Sequence, residues 1–175
     1  MSDYVSGPPI LRSQRYYLAP QHDIQTPLLA LVNGAQKTID IEIYGYTWRP
    51  LHDALIAAHK RGVQVRILFD HTQACGPSEK ALVTEIEAAG IECWTGTSPQ
   101  HQIRHSKVMV VDGRIVEKGS LNYSATALLQ NNTVDLVEDT ELAALHTADW
   151  EANKAWLIAN EGKYQVTAPP TAPRD

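Results

Sequence analysis

At 175 residues with a formal net charge of −5, the chain has the size of one domain with a sizeable core. The acidic balance excludes a protein coated in basic surface for nucleic acid, while leaving room for a local basic patch. No run approaches the length of a membrane span, and the N-terminal residues lack the apolar stretch of a secretory signal; this points to the cytoplasm and to no stable membrane association, with a processed exported form left open.

In chain order, residues 1–25 read as irregular, with Pro8, Pro9 and Pro20 in them. A helix is expected over 26–36, with Thr26 as N-cap and Pro27 in the first turn. Ile39, Ile41 and Ile43 alternate with polar neighbours, which is strand periodicity, over 38–48. A helix over 50–62 opens on Pro50 and closes on Gly62. A strand over 63–70 follows, then a helix over 78–90 with Ser78 as its cap and Gly90 at its end, then a short strand over 91–96. Residues 105–113 and 114–122 read as two strands of a hairpin turning at Gly113. A short helix over 124–130, a strand over 133–139 and a long helix over 140–160 complete the domain. The Pro-rich tail, 164–175, carries no periodic pattern and reads as disordered. The whole is an α/β fold in which a mixed β-sheet is flanked by helices, one domain over 26–163 with no repeat and no linker. Cys75 and Cys93 fit no zinc spacing and no CxxC motif, and read as buried or free thiols.

The stretch from His105 to Asn122, HSKVMVVDGRIVEKGSLN, holds more polar residues than a hairpin needs. On a strand, residues two apart share a face, so His105, Lys107 and Met109 point one way and Ser106, Val108 and Val110 the other. An imidazole and an ammonium side by side form an anion site, and an imidazole titrates close enough to neutrality to be nucleophilic there. Beyond the turn, Ser120 and Asn122 share a face and add a hydroxyl and an amide that can hydrogen-bond phosphate oxygens. Pairing across the turn brings the two sets to one end of the sheet. Asp112, beside the turn, is expected to bond nearby donors. Asp70-His71, at another strand end, supplies two metal-ligating side chains, too few for a site.

The spacing His-x-Lys-x4-Asp-x6-Gly-Ser-x-Asn, filled by His105, Lys107, Asp112, Gly119, Ser120 and Asn122, resembles the signature of the phospholipase D superfamily. Six positions at fixed offsets make a specific motif. The strand end Tyr44-Gly45-Tyr46-Thr47 and the helix end Lys60-Arg61-Gly62-Val63 are similar to those of the small bacterial endonucleases that carry one motif per chain, and the resemblance runs over 26–160. It implies a phospholipase D-like α/β sandwich that hydrolyses phosphodiesters with no metal and no cofactor. One histidine attacks phosphorus and becomes a phosphohistidine; a second protonates the leaving alcohol and then activates water. By position, His105 is nucleophile or acid, Lys107 and Asn122 clamp the phosphoryl oxygens, Ser120 supports phosphate or histidine, and Asp112 and Gly119 are the motif's structural members.

None of His22, His52, His59, His71, His101 and His146 has a lysine two residues on, so the chain holds one motif. The second histidine is therefore expected from a second copy, in a homodimer with one composite site at its axis. The small endonucleases carry a carboxylate that orients the nucleophile where this chain has Thr133. Asp135, two residues on, is the candidate for that role, with Glu138, or no carboxylate at all, as the alternatives. Arg104, Arg114, Lys118 and His101 could form a basic rim; Arg104, Lys118 and Tyr46 are the candidate substrate contacts. Of the aromatics near the same sheet end (Tyr44, Tyr46, Trp48, Trp94), Tyr44 and Trp94 read as core. Without an amphipathic entry surface, nucleic acid, DNA before RNA, is favoured over a phospholipid such as cardiolipin. A catalytically weak nucleic-acid-binding module is the remaining reading.

Overall fold

The computed structural model describes residues 13–161. Along the chain come β1 (Ser13–Ala19), α1 (Gln25–Gly34), β2 (Thr38–Ile43), α2 (Arg49–Lys60), β3 (Gln64–Asp70), α3 (His71–Ala74), α4 (Lys80–Ala88), β4 (Glu92–Gly96), β5 (Lys107–Val111), β6 (Ile115–Gly119), a 3-10 turn (Ala127–Leu129), β7 (Asn132–Glu138) and α5 (Thr140–Glu161). The strands form one mixed sheet in the order β1-β7-β6-β5-β2-β3-β4. β2, β3 and β4 run parallel, joined through helices, and every other pairing is antiparallel. The α/β sandwich expected from the alternating pattern is therefore the observed fold.

Helices cover both faces of the sheet. On one, Leu28 and Val32 of α1, Leu51 and Leu55 of α2 and Leu82 and Ile86 of α4 pack on Ile39, Ile41, Ile67 and Met109. On the other, Trp150 and Leu157 of α5 cover Leu68 and Trp94, and Ala143 covers Val110 and Val116. The polar residues that alternate with the isoleucines of β2 face α5 and are buried too. Asp40 takes the Arg66 guanidinium at 2.7 Å, Glu42 takes that of Arg104 at 3.1 Å, and the Arg66 guanidinium also lies 4.2 Å from the Trp150 ring centroid. These charges are buried because they are paired.

Several local expectations are corrected. Residues 13–19 are a strand, not irregular chain: β1 pairs with β7 along its length, from Ser13 opposite Glu138 to Ala19 opposite Asn132. The remainder of the irregular segment, 1–12, and the tail over 164–175 lie outside the described residues. α1 starts at Gln25, and it is Asp23 whose carboxylate accepts from the Thr26 amide at 3.1 Å. Glu79, not Ser78, precedes α4. His105 and Ser106 lie just ahead of β5 rather than inside it. Both cysteines are free, Cys75 exposed and Cys93 buried.

Asp112 acts as expected of a turn residue, but over a long distance. Its carboxylate accepts from the amides of Gln36, Lys37 and Thr38, the closest at 2.7 Å, and so ties the β5–β6 turn to the start of β2. Those bonds hold its carboxyl below the usual carboxylate range, against the opposing effect of partial burial. Asp112→Ala should lower stability by about 1.5–3 kcal/mol, read as a lower urea midpoint at unchanged slope.

Candidate active site

His105, Lys107 and Asn122 stand at the end of the sheet where β2 and β3 finish and β5 begins, the edge at which open α/β sheets present ligand crevices, whereas Asp112 lies at the opposite, turn end. Asp70, fully buried at the end of β3, is the anchor. One carboxylate oxygen caps α3 through the amides of Thr72 (2.9 Å) and Gln73 (3.2 Å), and the other accepts the Arg104 amide at 2.7 Å. The residue before His105 is thereby fixed. The residue after it is fixed as well, because the Ser106 carbonyl accepts the Tyr44 amide at 3.0 Å. Between these two pins the His105 side chain is exposed. Its ring lies edge to face with Tyr44, centroids 4.8 Å apart at 63°.

Lys107 is buried and reaches toward the same spot. Its ammonium donates to the His105 carbonyl at 3.0 Å and sits 4.9 Å from the Tyr44 ring centroid. Desolvation pulls its pKa down to about 8, opposed by the Asp70 carboxylate. Asn122 comes from the segment after β6. Its Oδ1 accepts the Gly45 amide at 3.2 Å, which leaves the Nδ2 group to donate to a ligand. That segment is stitched to the one that follows β2: the Gly45 carbonyl accepts the Tyr123 amide, and the Tyr123 carbonyl accepts the amides of Thr47 and Trp48. Glu79 supports it from behind, accepting the Tyr46 amide at 2.6 Å. Burial pushes Glu79 up to about 7, against the lowering effect of the Tyr46 amide. An exposed imidazole, an ammonium and an oriented amide at one end of the sheet suit a phosphoryl group, whose spread charge needs fixed donors.

A family model described as cardiolipin synthase, PLD-like domain, matches residues 28–156. The chain belongs to the phospholipase D superfamily. Among curated proteins of this superfamily, the chain is 34% identical over 125 residues to a phospholipase D of Rickettsia bellii, covering 71% of this chain and 60% of that one. It is 29% identical over 144 residues to the human mitochondrial cardiolipin hydrolase, covering 81% of this chain and 54% of that one. The chain thus spans less than two thirds of the length of these curated relatives. Among solved structures it resembles the phospholipase D family member Nuc of Salmonella typhimurium, with a TM-score of 0.77 and 26% identity over 83% of this chain and 95% of that one. NucT of Helicobacter pylori shares the fold, with a TM-score of 0.74 at 20% identity, over 82% and 96% of the two chains.

Within this phospholipase D fold, several residues singled out by the sequence stand elsewhere. Asp135 is not brought to His105: it accepts from the Gln14 side-chain amide and lies opposite Lys118, in the row of Val108 on the face toward α5. Glu138 pairs with Arg114, at the hairpin-turn end of the sheet. Lys118 shares the α5 face and belongs to the surroundings of His146, whose imidazole is held low first by burial and also by that lysine. The Arg104 guanidinium turns inward to Glu42 and to the Thr97 carbonyl. Tyr46 is buried, its hydroxyl against His52 Nδ1 at 3.2 Å. Arg104, Arg114 and Lys118 are therefore not gathered into a rim around His105, and the His101 ring lies 5.8 Å from that of Trp156. The Ser120 hydroxyl donates to Asn132 Oδ1 at 2.8 Å and accepts from the Thr133 amide at 3.0 Å, so it joins β6 to β7 instead of offering its proton to phosphate.

Trp94 is buried beneath α5, as read, and Trp48 is buried as well, whereas Tyr44, read as core, is half-buried at the site. Asp70, Gln73 and Glu79 were missed as supporting residues. The one sequence signal was the acid that ends the apolar run of β3, since a four-residue helix leaves no periodicity to find.

Proposed function

We propose that the protein is a phosphodiesterase that cleaves DNA through a phosphohistidine on His105, in a site completed by a second copy of the chain. The observation that carries this reading is the exposed His105 ring with the Lys107 ammonium at its own carbonyl and the Asn122 amide oriented by Gly45. A lone pair of the His105 imidazole attacks phosphorus, and the bond from phosphorus to the leaving oxygen breaks. Lys107 and Asn122 hold the non-bridging oxygens as their charge grows. The leaving oxygen takes a proton from His105 of the partner subunit. That imidazole then removes a proton from water, the hydroxide attacks phosphorus, and the phosphorus–nitrogen bond breaks. One motif per chain supports the two-fold arrangement, which places like residues face to face. Contacts to backbone phosphate alone imply little sequence preference.

A second reading is hydrolysis of a phospholipid such as cardiolipin. It draws on the relatives called phospholipase D and mitochondrial cardiolipin hydrolase, and on Ile103, an apolar side chain 48% exposed two residues before His105. The deciding experiment is cleavage of labelled single- and double-stranded DNA in excess EDTA, beside cardiolipin vesicles, with light scattering for the oligomeric state. DNA cleavage that persists in EDTA by a dimer supports the first reading. An inert response to DNA with turnover of the vesicles moves the assignment to the second, and an active monomer removes the composite site.

The depressed Lys107 gives the activity an alkaline limit. Because its folded pKa is about 8, the ammonium is present below that pH and lost above it. Its clamping role then disappears, and kcat/KM should fall about tenfold per pH unit once the pH exceeds that value. A profile flat to pH 10 would show that the charge on Lys107 is not used.

A further inference from the structure

Tyr44 makes three contacts that no motif position explains. Its ring meets the His105 ring edge to face, centroids 4.8 Å apart. The same ring lies under the Lys107 ammonium, 4.9 Å from its centroid. Its hydroxyl accepts the Gln73 side-chain amide at 3.0 Å. Gln73 stands on α3, which Asp70 caps, and Asp70 also holds the chain ahead of His105. One side chain thus touches both members of the reactive pair and is itself held by the element that fixes the approach to them. The Tyr44 backbone adds to this by pinning Ser106, between the two.

We propose that Tyr44 is a positioning residue for the His105–Lys107 pair and that Gln73 sets the pose of Tyr44. An edge-to-face contact restrains the imidazole, which is otherwise exposed and free to rotate. A cation above a ring face favours one direction for the long lysine side chain. Among the described residues the charge that acts on Lys107 is the Asp70 carboxylate at the end of β3, and the ammonium donates to the His105 carbonyl of its own segment. The Tyr44 ring is the aromatic neighbour of that ammonium, whose pKa is lowered first by burial. The inference rests on the phosphodiesterase reading for its kinetic consequence, but not for its structural one.

Two kinds of measurement on the full chain test it. Nuclear magnetic resonance of the substrate-free protein reads the ring-proton shift of His105 and the titration of the Lys107 side-chain carbon. Kinetics use bis(p-nitrophenyl) phosphate. Tyr44→Ala should abolish the ring-current displacement of the His105 proton, move the Lys107 midpoint upward as water enters, and lower kcat about 10- to 100-fold with little change in KM. Tyr44→Phe keeps the ring, and with Gln73→Ala it should give the same small loss, about 2-fold, with no further loss in the double variant, because both cut one hydrogen bond. Tyr44→Leu keeps the bulk without the aromatic ring, so the His105 shift still decides if the alanine variant does not fold. A His105 resonance unmoved in Tyr44→Leu and Tyr44→Ala, or full additivity of Tyr44→Phe and Gln73→Ala, overturns the proposal. A wild-type protein inert toward diesters sinks the proposed function while the resonance measurements still decide the role of Tyr44.

Discussion

His105→Ala should leave a folded protein whose phosphodiesterase rate has fallen by about 10⁴- to 10⁶-fold, since the covalent route is lost and only binding and charge stabilisation remain. The size follows from the chemistry. Lys107 and Asn122 can still hold a phosphate, but no other imidazole of the described residues is shown stacked on Tyr44 beside the Lys107 ammonium. Folding is expected to be nearly untouched, because the His105 side chain is exposed and its ring makes one edge contact. The unfolding free energy should change by less than about 0.5 kcal/mol, as for other surface positions. Labelled diester and an alkaline denaturing quench provide the direct check: label held on the wild-type chain through the quench and released by later acid treatment, and none on the alanine variant. Equal rates for the two proteins would remove His105 from the mechanism and leave the motif as a binding site.

Gly119→Ala should be heavily destabilising. A Cβ at that position would stand 2.1 Å from the Thr133 carbonyl oxygen and 3.1 Å from the Val134 Cα, all of it backbone that cannot step aside. Gly119 is opposite Val134, where β6 meets β7, and the neighbouring Ser120 amide donates to that same Thr133 carbonyl at 3.0 Å. Relief therefore requires the two strands to part at the point that leads into Asn122. The cost is put at about 3 kcal/mol or more, the upper end of overpacking effects. Activity should fall further than stability alone accounts for, because Asn122 is carried by the segment that moves. Urea unfolding and single-turnover rates on the same preparation separate the two losses. A variant as stable as wild type would mean that β6 and β7 are not as close as described.

Much of the site was legible because strand parity is a hard constraint. Once 105–111 is extended, Lys107 and Met109 must share one face and Val108 and Val110 the other, and the packing of Met109 with α1 and α2 and of Val110 with α5 follows that division. The spacing of Asp112 and Gly119 was legible for a related reason: a turn acid and a crowded strand glycine each answer a backbone demand. Partnerships across the sheet were not. Arg104 reads as a surface cation until Glu42, 62 residues away, is seen to claim it, and Asp135 reads as a candidate for His105 until β1 supplies Gln14. β1 itself was hidden by flanking prolines and by the exposure of Tyr16 and Leu18, which leaves little apolar alternation to read. Tyr44 reads as core in the sequence because periodicity places a residue on a face but not at the end of a sheet.

The placement of β1 also bears on how the chain is made. Among the described residues its strand partner is β7, and Gln14 and Asp135, which meet there, are 121 positions apart. At 5–20 residues per second, a ribosome needs about 6–24 s to bridge that interval. The units built on β2, β3 and β4 leave the exit tunnel in sequence and can collapse meanwhile, whereas β1 waits with its edge and its two exposed apolar side chains unpaired. A nascent chain stalled before Asn132 therefore leaves open the side of β1 and the side of β6 that β7 will join, and both are templates for pairing with another chain. Release of β7 closes both in one step.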